Sequence, residues 1–222
     1  MTKFTTLLEQ YALLALEKQE HLSLLLGEYS WELDLDRGVI RFDGMEYPFQ
    51  ALGTESDNTL TWLWAWANEQ TEIPDELLRS ARELQAWGER EGIEEFTLPA
   101  VDLDRADGHM ISMIASMISG ASCHFRSPYE GGAAYLLITG REIDAQPAFD
   151  LTRLMHRFTD LISLYEVNHH NALTSYLAAK EIPFSELVGL VTARLASGEV
   201  LSVEFDETGR ALSLNGALPA ND

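Results

Sequence analysis

The chain has 222 residues, 46% of them apolar, enough to bury a core without covalent staples. A single cysteine, Cys123, excludes an internal disulfide scaffold, and no stretch nears the roughly 20 apolar residues of a membrane span. Thirty-six acids against 15 bases give a net charge of −21, a field that repels phosphate backbones and anionic membranes, so neither nucleic acid nor membrane is expected as a partner.

Phe4, Leu7, Leu8, Tyr11, Leu14, Leu22, Leu25 and Leu26 recur at three- and four-residue intervals and predict a long amphipathic helix ending near Gly27. Its glutamates interrupt any signal-like apolar run, so a cytoplasmic location is expected. Tyr29 to Leu35 alternates in period two, and Val39 to Phe42 returns across a turn at Asp36-Arg37-Gly38. Asp43-Gly44 leads into a strand over 46–53, and Ser56-Asp57-Asn58 breaks the chain before a strand over 59–67. These four strands make an antiparallel meander.

The last of them carries the most distinctive residues. Trp62, Trp64 and Trp66 stand two apart, which places all three indoles on one face of a strand, with Leu63, Ala65 and Ala67 on the other. Such a row builds the floor of a thick core or the wall of a pocket. Two apolar faces favour the core, and a functional use would fall where the strand leaves it, at Trp66 and Asn68.

Pro74 opens a helix with Leu77, Leu78, Ala81, Leu84 and Trp87 on its apolar face, closed by Gly88 or Gly92. Phe96 and Leu98 suggest a brief extended piece. His109 to Ser119 is apolar nearly all round and reads as a buried helix. Residues 122–126 and 133–139 pair across a six-residue loop, and Asp150 caps one long helix that runs to Pro183. Phe184, Leu187, Val188, Val191 and Leu195 fit a further helix; Val200–Phe205 and Arg210–Leu214 close a last hairpin before a tail that frays from Gly216. The class is α+β: a single domain over 1–222 with a mainly antiparallel sheet, helices packed over it, and 184–215 as a candidate subdomain.

No phosphate-cradling glycine loop, Gly-x-Ser-x-Gly elbow or His-Glu-x-x-His helix occurs. Asp102 to Asp107 has the look of a calcium loop, but its third Asp is one place late and Met113 holds the final ligand position, so it reads as a cap and turn. Glu166 and His169 have the i, i+3 spacing of di-iron helices without a second copy, and no metal or cofactor is expected. Asn168 to Asn171 is a polar patch that lines a cleft or marks a bend. Cys123 and His124, adjacent on a strand, face opposite ways, which leaves Cys123 a buried, inert thiol. Arg126, beside Tyr129 and the Gly131-Gly132 turn, suits a bidentate carboxylate or phosphate, or one of the many acids.

Gly53-Thr54 with the Thr61–Asn68 strand, and the later Cys123–Pro128 and Gly131–Tyr135 hairpin, resemble an uncharacterised bacterial domain family of unknown function over most of residues 1–180. The resemblance implies a bacterial, cytoplasmic domain and brings no catalytic residue with it. Two functions follow. One is a non-catalytic binding module, acidic and suited to a basic partner protein. The other is a small-molecule domain or enzyme, its pocket walled by Trp62, Trp64 and Trp66 with Asn68, Arg126, Tyr129 and His169 as polar anchors. A homodimer stays open.

Overall fold

The computed structural model describes residues 2–145 and 150–217. Its chain gathers into two compact units, Lys18–Gln146 and Met1–Glu17 with Pro147–Asp222. Helix α1 (Lys3–Leu26) contributes residues to each. Both units are α+β with antiparallel sheets.

The 18–146 unit is built on seven strands: β1 (Trp31–Asp34), β2 (Val39–Phe42), β3 (Met45–Ser56), β4 (Thr61–Trp64), β5 (Ala100–Asp102), β6 (Cys123–Tyr129) and β7 (Gly132–Ile138). The spine is β3, which pairs with β2 through residues 45–48, with β4 through 53–56 and with β7 from 49 to 56. Asp43 and Gly44 join β2 to β3 with φ of 46° and 95°, the paired left-handed geometry that matches strand twist in a two-residue turn. One face of the sheet buries Ile40, Phe42, Phe49, Phe125 and Leu136 against Leu22 and Leu26 of α1. Phe42 and Phe125 meet edge to face at 5.0 Å.

Against the other face lies α4 (Gly108–Ser119), apolar on more than one side as its composition requires, with Ile111, Met113, Ile114 and Ala115 buried. Asp107 caps it, its carboxylate accepting the Met110 N–H at 2.8 Å. The Asp102–Asp107 segment is therefore a strand end and a helix cap. Around this layer stand α2 (Arg79–Glu91), ended by left-handed Gly92, and the short α3 (Glu94–Thr97) and α5 (Arg141–Asp144).

The second unit packs α6 (Leu151–Leu164) and α7 (His169–Ala179) with β8 (Phe184–Leu187), β9 (Leu190–Arg194), β10 (Val200–Phe205) and β11 (Ala211–Ala217), in the order β11-β10-β9-β8. Glu9 of α1 is buried here and accepts the Asn168 N–H at 2.9 Å and the Asn171 side-chain amide at 3.0 Å. Glu17 accepts the Tyr176 hydroxyl at 3.0 Å and pairs with Lys180 at 3.1 Å. Among the described residues no helix is long and apolar enough to cross a membrane.

Several expected elements change. The tryptophan strand stops at Trp64, and residues 65–67 form a 3₁₀ turn, so only Trp62 and Trp64 share a strand face. The long helix after Asp150 breaks at Tyr165–Asn168, where the Asn168 side chain caps α7 through the Asn171 N–H; the polar patch marks a bend. Residues 184–195 are a hairpin, not a helix, because Gly189 at φ +72° turns the chain and the β-branched residues around it suit strands. Phe96 lies in α3, and the β6–β7 loop shrinks to Glu130-Gly131. Gly216 and Ala217 pair with β10; the rest of the tail lies outside the described residues.

Gly53 fits against Trp62 so closely that a Cβ there would strike the indole and come within 2.6 Å of the Leu63 carbonyl oxygen. Gly53→Ala is expected to lower stability by about 1–3 kcal/mol, read as a lower urea midpoint at unchanged slope. Leu60 holds φ +52° and is 62% exposed. Leu60→Gly relieves that conformation and should raise stability by up to about 1 kcal/mol, read as a higher urea midpoint.

Candidate functional site

Strand register assembles one polar cluster on the α4 face of the sheet. Tyr135 on β7 stands opposite Arg126 on β6 and Gly53 on β3, and Glu55 of β3 stands opposite Trp62 of β4. The Tyr135 hydroxyl donates to Glu55 Oε2 at 3.1 Å, and the same oxygen accepts the Gly108 N–H at 3.0 Å. Tyr129, half exposed, donates its hydroxyl to the Glu55 carbonyl at 3.4 Å. The His109 ring stands edge-on to Tyr135 at 5.4 Å and to His124 at 6.1 Å.

Glu55 thus sits at the positive end of α4, where an anionic ligand would otherwise be held. Burial and then the Glu55 charge push the Tyr135 hydroxyl well above its usual range, with Arg126 opposing, so it stays a neutral donor. Burial, helped by His109, pulls His124 down to about 3 and keeps its imidazole neutral. On the opposite sheet face burial pushes the Cys123 thiol up to about 12, which denies it the thiolate a nucleophile needs. The Glu55 hydrogen bonds lock β3, β7 and α4 together, while beside them the buried Trp62 Nε1 and His124 Nδ1 have no hydrogen-bond partner among the described residues.

The residues singled out in the sequence fall in different places. Trp62 and Trp64 are fully buried. They cross edge to face at 5.6 Å; Trp62 meets Tyr135 at 5.4 Å and Trp64 meets Phe96 at 5.4 Å. The Trp64 indole N–H donates to the Glu95 carbonyl at 2.9 Å. Trp66, off the strand, still stacks on Trp64 at 6.5 Å and is half-buried. Asn68 accepts the Gln70 and Thr71 N–H groups and so closes the turn after Trp66. His169 belongs to the other unit, where its Nδ1 accepts the Ala211 N–H at 3.0 Å. The structure therefore brings Trp62 and Arg126 beside Glu55 and Tyr135 on the α4 face, while Tyr129, which alternates to the opposite face, reaches the Glu55 backbone carbonyl.

Three members of the cluster, Glu55, Tyr135 and His109, escape a reading by motif. Glu55 lies in a polar stretch that resembles a turn, and Tyr135 in an apolar strand where an aromatic reads as core. Only the β3–β7 register makes Glu55 and Tyr135 neighbours, and only the packing of α4 brings His109 to them.

Because His124 titrates near 6.5 when unfolded and near 3 when folded, the unfolded chain binds the extra proton between those values. Stability should fall as pH drops from 6.5 toward 3, by up to about 1.4 kcal/mol per pH unit from this group. Urea midpoints at several pH values measure it, and His124→Leu should flatten that part of the slope.

No curated protein and no solved structure matches the chain. A family model matches residues 5–141, a span that includes every member of the Glu55–Tyr135 cluster. The chain belongs to that family, a family of unknown function (DUF6882).

Proposed function

We propose that the protein is a non-catalytic binding module whose acidic surface holds a basic partner protein, in a bacterial cytoplasm. Residues 18–146 carry 24 acids and 9 bases. The observation that carries the reading is where four of those bases sit. Arg37 and Arg41 close on Glu46 at 2.9 and 2.6 Å, Arg82 on Asp75 at 2.7 Å, and Arg105 on Glu94 and Glu95 at 2.8 Å each. These cations are neutralised in place, while Glu69, Glu72, Glu76, Glu83 and Glu89 remain exposed. A field of one sign steers an oppositely charged partner and raises its rate of encounter. The tryptophan row supports the same choice: with Trp62 and Trp64 enclosed by protein rings, the indoles serve the core.

Fluorescence anisotropy with a labelled lysine oligomer, against a glutamate oligomer of equal length, tests this reading. The lysine oligomer should bind, and its Kd should rise at least about tenfold between roughly 0.05 and 0.5 M salt as the Debye length shrinks. Equal binding of both oligomers, or affinity indifferent to salt, would overturn it.

A further inference from the structure

We infer that the open edge of β1 docks an extended partner segment, in which Lys or Arg alternates with apolar residues, as an additional strand of the sheet. The inference rests on the binding reading above and gives it a surface. Among the described residues β1 pairs with β2 alone and ends the path β1-β2-β3-β4-β5. The Asp43 N–H donates to the Ser30 carbonyl at 3.3 Å, so Ser30 directs its backbone toward β2. Antiparallel alternation then turns Glu32 and Asp34 the same way and leaves the N–H and C=O of Trp31 and Leu33 directed to the open side. An unpaired row of this kind is a template for strand addition.

The side chains state which strand fits. Trp31 and Leu33 stand opposite Phe42 and Ile40, both fully buried, and Trp31 meets Phe125 edge to face at 5.7 Å. Apolar side chains of an added strand would extend this face. Glu32 and Asp34 take the other face, and a depression of about 440 Å³ beside them is lined by Glu32, Leu33, Asp34, Leu35, Asp36 and Arg41. Arg41 holds Glu46 at 2.6 Å but reaches Glu32 and Asp34 only at 3.8 and 3.7 Å, and the Glu32 side chain is 80% exposed. The rim is therefore short of cations. Charge complementarity selects a basic segment and rejects a second copy of this edge, which would set Glu32 and Asp34 against their own counterparts.

Two synthetic peptides of one sequence, alternating lysine and valine, test the proposal on the full chain. One carries N-methyl groups on alternate backbone nitrogens, which blocks strand pairing without changing charge. The unmodified peptide should bind about tenfold or more tightly than its methylated twin, as loss of one or two net hydrogen bonds implies. It should also slow hydrogen exchange at the Trp31 and Leu33 amides. Leu33→Pro removes an outward N–H and leaves the β1–β2 ladder intact, so it should erase the difference between the peptides. The exchange measurement, made on the unaltered chain, decides the matter even if that variant fails to fold. Equal affinity for the two peptides, or protection appearing elsewhere, overturns edge docking while the acidic-surface reading stands. Failure of the peptides while the lysine oligomer binds does the same; failure of every cationic probe overturns both.

Discussion

A single carboxylate organises the unit that the family model covers. Glu55 stands near the end of β3, and its Oε2 receives a hydroxyl from β7 and the first backbone N–H of α4. Charged hydrogen bonds of this kind contribute about 1.5–3 kcal/mol each. Their larger effect is geometric, since they fix where α4 begins on the sheet. The close fit of Gly108 enforces the same position, for a Cβ there would collide with the Tyr135 ring. The buried face of α4 and the ring contacts among Tyr135, Trp62 and Trp64 follow from that anchor.

The indoles show the same economy of space. Trp62 lies in the gap left by Gly53 across the β3–β4 pair, and Trp64 gains a carbonyl for its N–H from Glu95. The chain leaves strand geometry immediately after Trp64, which lets the Trp66 ring fold back over Trp64 instead of following it along the sheet. Asn68 then fastens the turn. Residues that invite a pocket reading are thus a packed stack with a locked exit.

Much of this fold was legible in the residues, for identifiable reasons. The period of α1, the Asp43-Gly44 turn and the Asp107 and Asp150 caps are local signals, and local signals survive folding. Residues 184–195 misled because Phe184, Leu187, Val191 and Leu195 satisfy a helical spacing while alternate members also satisfy a strand, and the deciding contact is with β10. The Asn168–Asn171 patch left a cleft or a bend open, because the partner that decides for the bend, Glu9, lies some 160 residues earlier. The Glu55–Tyr135 cluster was hidden for the same reason: two strands distant in sequence create it. Arg126 and Tyr129 stand in a recognisable hairpin, whereas Glu55 and Tyr135 carry no local signal.

The Glu9 contact also bears on the order in which the molecule can be made. Residues 18–146 form a continuous stretch and can collapse as soon as they emerge from synthesis. The unit that holds Glu9 joins residues 1–17 to residues after 146. Phe4, Leu8 and Leu13, all buried in the finished protein, must therefore remain without the rest of their own unit while more than half the chain is still to be translated. The first turns of α1 thus wait for partners that only the later part of the chain supplies.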